Sequence, residues 1–258
     1  MLLKPEIKNE MIKQLNTGNS INAISRFLNL SKSTIYHYYK KIKGRKFKLA
    51  VVPADDKVLG EFLGAFAGDG GMFYDKKYWH YTISIYLHKT DDKLYSLYLK
   101  ELIEKNFNKK VRVYIHAGSA LRLTFRSKTI YKLIEDYLVT SGNKTLNISI
   151  KKPISELSDD FLIYFIRGLI DTDGHVDKYG KVILALISQN MIEQVAIILK
   201  KLGIDSKISL RKVRPNEHQL YAIRILKKDA GRYLSLIGFS NKYKEIRICA
   251  SRDSKSRF

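Results

Sequence analysis

Two periods of apolar and polar positions alternate along this chain, and they change over at regular places. Lys4 to Leu15 carries Ile7, Met11, Ile12 and Leu15 at helical spacing and stops at Thr17-Gly18-Asn19. Ser20 can cap a second helix bearing Ile21, Ile24 and Leu28, and after Asn29-Leu30-Ser31 a third helix runs from Lys32 to Lys43. Beyond a basic stretch, Pro53-Ala54-Asp55-Asp56 opens an apolar helix with acids at the favourable end of its dipole. A strand from Tyr78 to Lys89 follows, with Trp79, Tyr81, Ile83, Ile85 and Leu87 on one side and Tyr78, His80, Thr82, Ser84, Tyr86 and His88 on the other. An amphipathic helix (Asp91 to Phe107) leads to a hairpin. There Val111, Val113, Ile115, Leu121, Leu123 and Phe125 are expected inside, and Arg112, Tyr114, His116, Arg122, Thr124 and Arg126 outside. A helix from Thr129 to Val139 closes the unit, and the chain then repeats itself. The repeat has an apolar helix from Phe161, a strand at Val182 to Ser188, a helix at Met191 to Leu202, a hairpin from Lys207 to Ile225 and a helix at Asp229 to Leu236. The fold class expected is α+β: a pseudo-twofold pair of αββαββα units (56–150 and 151–258), preceded by a small all-α domain (1–45) and a basic linker (46–55).

The helix that opens each unit carries small residues four apart. Gly60, Gly64 and Gly68 share a face of the first; Gly168 and Thr172 repeat the spacing in the second. Glycine inside a helix costs about 0.5–1 kcal/mol relative to alanine, so a stacked row needs a packing reason. Close contact between the two helix backbones supplies one. Each helix ends at a carboxylate, Asp69 or Asp173, before a glycine suited to ending the helix. Side-by-side packing would bring the two aspartates together, where they repel unless a proton or a cation sits between them.

Phe62-Leu63-Gly64-Ala65-Phe66-Ala67-Gly68-Asp69-Gly70 and Ile166-Arg167-Gly168-Leu169-Ile170-Asp171-Thr172-Asp173-Gly174 resemble two copies of the LAGLIDADG motif, which names a group of homing endonucleases. The copies lie 104 residues apart, Asp69 to Asp173, in matching surroundings. The first has Ala67 where an acid is usual, and the second has Arg167 where a small residue is usual. The resemblance implies a DNA-binding saddle and a monomer that cleaves both strands of a long asymmetric double-stranded target across the minor groove, leaving short 3′ overhangs. It implies Mg2+ or Mn2+ at Asp69 and Asp173, helped by the backbone carbonyls of Gly68 and Thr172. It also places basic and polar residues around the metals: Lys144 and Lys242, each after the closing helix of its unit, with Gln189 at a strand end and His88 or Lys89 as its first-unit counterpart. Asp171 is expected mainly to close its helix end.

Composition narrows the partner. The net charge of +22 and pI near 9.8 point to a polyphosphate. No apolar run approaches the ~20 residues of a membrane span, and the start lacks a signal-peptide pattern. One cysteine, Cys249, excludes an internal disulfide, fits the reducing cytoplasm and is expected to be an inert small hydrophobe. The first 48 residues hold eleven Lys and Arg against two acids, a net of +9. Their pattern resembles a helix-turn-helix of the resolvase-like or sigma-factor-like kind, which implies that Lys32, Ser33, Thr34 and His37 face the major groove while Ile35 and Tyr38 face the core. The alternative is a small three-helix bundle for protein contacts. Arg112, Tyr114, Arg122 and Arg126 share an acid-free hairpin face suited to DNA, and Lys207, Arg211 and Arg224 suggest a second. No Walker loop, His-Glu-x-x-His, Cys/His cluster or nucleophile elbow competes, and intein termini are lacking, so a free-standing protein encoded in or beside an intron is expected. A non-cleaving transcriptional regulator and an RNA maturase on the same scaffold stay open.

Overall fold

The computed structural model describes residues 3–44, 49–116, 118–211 and 217–253. Residues 45–48, the start of the expected linker and the residue before it, and 212–216 of the second hairpin, lie outside the described residues. The chain divides into two compact units, Met1–Leu49 and Ala50–Phe258.

The first unit has α1 (Pro5–Asn16), α2 (Ile21–Phe27) and α3 (Lys32–Lys43). The oxygen of Ser20 accepts the Ala23 N–H, and that of Ser31 accepts the Thr34 N–H, so both expected caps form. Met11, Leu15, Ile24 and Ile35 make its core, with Tyr38 packed against them. Lys43 Nζ donates to Leu15 O (2.6 Å), which ties the end of α3 to α1.

The second unit is built on α4 (Asp56–Asp69) and α8 (Asp159–Asp173). After α4 come β1 (Gly70–Asp75), β2 (His80–His88), α5 (Lys93–Asn106), β3 (Arg112–His116), β4 (Ala120–Arg126) and α6 (Lys128–Tyr137). A connector of β5 (Leu138–Val139), α7 (Lys144–Asn147) and β6 (Ser149–Ile150) leads to α8. Then follow β7 (Gly174–Val176), β8 (Val182–Leu186), α9 (Gln189–Lys201), β9 (Ser206–Arg211), β10 (Leu220–Ile225), α10 (Ala230–Leu236) and α11 (Lys242–Asp253). The two antiparallel sheets, β1-β2-β4-β3 and β7-β8-β10-β9, have the same order, and one apolar core runs through both.

The seam between α4 and α8 explains the small residues. A Cβ added to Gly64 would collide with the Phe165 carbonyl, and one on Gly60 with that of Phe161. One on Gly168 would strike Glu61 O and stand 2.7 Å from Ala65 N. Residues 59–67 are buried throughout, including Glu61, whose Oε2 accepts the Tyr98 hydroxyl (2.8 Å). At the opposite end of the seam Ser158 Oγ donates to Asp56 Oδ2 (2.5 Å). Arg167 stays out of the seam: its Nε donates to Ile237 O at the end of α10 (2.5 Å), and its guanidinium lies over Tyr164 at 4.2 Å.

Gly70 and Gly174 end their helices; both are extended (φ −82° and −78°), and each helix passes straight into a strand. Glycine is needed there for room, since a Cβ on Gly174 would sit 2.6 Å from Ile170 Cγ2. Three expectations need correcting. Val113 and Ile115 lie on the edge strand β3, beyond the cover of the helices, and Ile115 is 60% exposed. Trp79 belongs to the β1–β2 turn and to neither face of β2. Cys249 is exposed on α11, so it is no core hydrophobe.

Candidate active site

The helix seam delivers Asp69 and Asp173 to one place. A Cβ built on Gly68 would collide with Thr172 Oγ1 and stand 3.2 Å from Asp173 Oδ2, so the Asp173 carboxylate lies against the last turn of α4. Thr172 Oγ1 itself donates within α8, to Gly168 O and Leu169 O (both 3.0 Å). Burial and then the Asp173 charge push the Asp69 carboxyl up to about 7. Burial raises Asp173 as well, opposed by Lys144 and Lys244. Two carboxylates held this way gain from any cation placed between them. Among the described residues no group of three or more His, Cys, Asp or Glu side chains could hold a metal ion. A metal here would have two carboxylates from the protein and fill its sphere with water and substrate oxygen, which suits magnesium.

Two buried lysines flank the acids. Lys144 Nζ donates to Gly68 O (2.7 Å) and Gly70 O (2.6 Å). Burial lowers its pKa to about 8, against the opposing pull of Asp173 and Asp69. In the second half the place expected for Lys242 is filled by Lys244, whose Nζ donates to Ile170 O (2.8 Å), Asp171 O (2.8 Å) and Thr172 O (2.9 Å). Lys242 is exposed and pairs with Glu245 Oε2 (2.7 Å). The carbonyls of Gly68 and Thr172, expected beside a metal, thus each accept a lysine ammonium. A sequence signal for Lys244 existed: it shares a helical face with the buried Ile248, four residues on.

Gln189 is the first residue of α9 rather than a strand end, and its Nε2 donates to Glu193 Oε1 (2.7 Å) on the same helix. His88, at the end of β2, faces Thr90 Oγ1 (3.0 Å) and Asp91 Oδ2 (3.6 Å). Asp171 does not close its own helix but the start of another: its Oδ2 accepts the N–H groups of Ser240 (2.7 Å) and Asn241 (3.2 Å), which position α11 and hence Lys244. Burial pushes the Asp171 carboxyl up to about 7. Asn241 Nδ2 also donates to Asp92 Oδ1 (2.7 Å), linking α11 to α5. Asp92 and Asn241 carried no sequence signal of this contact.

The cations gather on the sheet faces turned away from the helices. Register places Tyr114, Arg122 and Tyr86 in one row across β3, β4 and β2, with Arg112 and Thr124 in the next and Arg126 beyond. The Arg122 guanidinium lies 5.5 Å from the Tyr86 ring and 5.8 Å from that of Tyr114, and its Nε donates to the buried Ser84 Oγ (3.0 Å). Lys207, Arg211 and Arg224 are exposed on β9 and β10, but Ile183, Ala185 and Ala222 occupy the middle of that face. The two faces therefore differ. In the first unit Lys32, Ser33 and His37 are exposed on α3, while Thr34 is half-buried and bonded to Ser31 Oγ (2.8 Å).

Paired helices ending in adjacent acids, with a matching sheet on each, make a fold similar to that of solved homing endonucleases. Residues 160–238 match the model of the LAGLIDADG-like domain. Over 71% of its length the chain is similar in structure to 97% of the homing endonuclease I-DmoI in complex with DNA and Mn (TM-score 0.55, 20% identity). Over 82% it is similar to 92% of the homing endonuclease I-WcaI bound to its DNA recognition sequence (TM-score 0.50, 15% identity). At these identities the likeness is one of fold. In sequence the chain is 34% identical over 193 residues to the replication factor C small subunit of Thermococcus kodakarensis, 74% of this chain but only 21% of that protein. It thus spans about a fifth of that relative's length.

Proposed function

We propose that residues 50–258 are a metal-dependent double-strand DNA endonuclease of the homing type, acting as a monomer. The observation that carries this reading is the Asp69–Asp173 pair, two carboxyls raised by burial and set between two buried lysines. Asp69 and Asp173 would hold Mg2+ or Mn2+. Such a metal, when bound, supplies Lewis acidity at a phosphate and a water acidic enough to attack it. The protein's own part is to bind and orient. Lys144 and Lys244, anchored on helix-end carbonyls, keep positive charge beside the acids to meet the charge that builds on phosphorus and the leaving oxygen. Arg112, Arg122 and Arg126, with Lys207, Arg211 and Arg224, bind the backbone and base edges on either side. Because the two sheet faces differ, the target they read is asymmetric. The first unit, with Lys32, Ser33 and His37 exposed at the start of α3, is a second DNA-binding element of the helix-turn-helix kind. The DNA-bound state of the similar I-DmoI and I-WcaI structures supports the DNA-binding reading of the paired-sheet unit.

A supercoiled plasmid library carrying randomised inserts tests the proposal. Linear products with short 3′ overhangs in magnesium, and none with EDTA, are expected. Tight DNA binding with no cutting on any insert would favour a regulator on this scaffold; binding to intron RNA instead would favour a maturase. A narrower check concerns the first hairpin. Replacing Arg122 and Arg126 by alanine should weaken DNA binding and flatten the slope of log K against log salt by about 1–2. An unchanged slope would remove that face from the interface.

A further inference from the structure

Where the second motif copy has Asp171, the first has Ala67. In the second copy Asp171 Oδ2 accepts the Ser240 and Asn241 N–H groups just ahead of α11, and Lys244 then reaches the carbonyls before Asp173. The start of α7 is built on the same plan. Asn143 Oδ1 accepts the Thr145 N–H (3.1 Å) as Asn241 Oδ1 accepts that of Tyr243 (3.2 Å). Lys144 then reaches the carbonyls on either side of Asp69. Ala67, however, is buried and has no side-chain oxygen to offer the start of α7. That helix is a single turn of four residues, far too short to hold its shape in water unaided. Its support must come from elsewhere.

It comes from the other half of the chain. Ser188, the cap of α9, donates its hydroxyl to the carbonyl of Ile148 (2.6 Å), the residue that ends α7. Further along α9, Gln194 holds Ile150 in both directions. The Ile150 N–H donates to Gln194 Oε1 (2.7 Å), and Gln194 Nε2 donates to Ile150 O (2.8 Å). β6 pairs with β5, and the Gln194 amide takes the place of a second strand neighbour, fixing the backbone in position and in rotation. Ser188, Ile148 and Ile150 are all buried, so little water competes for these bonds. Packing alone would be served by any side chain of similar bulk at residue 194; an amide that meets both polar groups of one residue sets where that residue lies. A link runs the other way as well, since Asn241 Nδ2, ahead of α11, donates to Asp92 Oδ1 at the start of α5 (2.7 Å). Helices α5 and α9 hold the same place in the two halves, and each steadies the lysine-bearing helix of the opposite half.

We infer that Gln194 and Ser188 are positioning residues for Lys144, so that the second half of the chain sets the lysine that stands beside the first half's acid. This rests on the nuclease reading above, because cutting is what Lys144 is placed for. Gln194→Met keeps the length and bulk of the side chain and removes both bonds to Ile150. Brief labelling of the metal-free protein with acetic anhydride, read by peptide mass spectrometry, should then modify Lys144 several times faster than in the wild type and Lys244 at an unchanged rate. On a site recovered from the plasmid library, in magnesium, Gln194→Met should bind DNA as the wild type does but cut one strand about 10-fold or more slowly, so that nicked circles accumulate. The slow strand should be the one that Asp69→Asn slows more, although residue 194 lies in the half that carries Asp173. The mirror variant is Asp171→Ala, which gives the second motif the residue of the first; it should free Lys244 and slow the opposite strand. Equal slowing of both strands by Gln194→Met, or Lys144 labelling that does not change, overturns the assignment. If the wild type cuts no DNA the nuclease reading falls, and the labelling alone decides whether Gln194 places Lys144.

Discussion

Replacing Asp173 by asparagine should leave the protein bound to DNA and cut at least one strand on the order of 10³-fold more slowly, since loss of a metal-held charge removes several kcal/mol of transition-state stabilisation. Asp69→Asn should do the same. A nicked intermediate that accumulates in one variant and not the other would show that each acid serves a different strand. Normal cutting of both strands by Asp173→Asn would remove it from the chemistry. The same substitutions carry an opposite effect on stability. The Asp69 carboxyl titrates near 7 in the folded chain against an ordinary 3.8. Between about pH 4 and pH 7 the folded chain therefore binds more protons than the unfolded one, and metal-free stability falls as pH rises through that window. Above it the full penalty is present. Asp69→Asn should consequently raise metal-free stability at pH 8 by roughly 1–3 kcal/mol, the partial exposure of the site trimming what a shift of that size would otherwise give. Near pH 4 the gain should vanish.

The second large effect belongs to the helix seam. Alanine is the better helix former by about 0.5–1 kcal/mol, so propensity alone says that Gly64→Ala or Gly168→Ala should stabilise. The added Cβ would instead overlap the Phe165 carbonyl in one case and Glu61 O and Ala65 N in the other. Backbone cannot swing aside as a side chain can, so a loss of about 3 kcal/mol is expected, at the upper end of overpacking costs. For a unit of this size that lowers the melting temperature by about 6–12 °C. Gly71→Ala is the control: its Cβ would meet only the Tyr86 ring at 3.6 Å, an ordinary contact. Calorimetry in which Gly64→Ala melts no lower than Gly71→Ala would mean that the helices are not in backbone contact.

The elements with a local period were legible in the sequence. Ile83, Ile85 and Leu87 alternate because β2 has one face on the core, and Gly60, Gly64 and Gly168 recur at helical spacing because two backbones touch. What escaped depends on distance through space. Lys144 is the first residue of α7 and Lys244 the third of α11, yet both reach helix-end carbonyls. Choosing the lysine by its place after each closing helix therefore picked Lys242, the exposed one. Ile115 reads as core by alternation, but no helix covers the edge strand on which it lies. Trp79 fits the alternation of β2 equally well, and only the bonds made by Asp75 show that the chain is still turning. The glycines after Asp69 and Asp173 do end their helices, and only the structure shows that they do so in a helix-to-strand passage with no room for a Cβ.

The sharpest single test needs no target DNA: metal-free melting of the wild type, Asp69→Asn, Asp173→Asn and the double variant at pH 8. If the two carboxylates crowd one another, either substitution relieves a repulsion that the other would also relieve. The double variant should then gain measurably less than the sum of the two single gains. Gains that simply add, or singles that melt below the wild type, would mean that the two acids do not share a site.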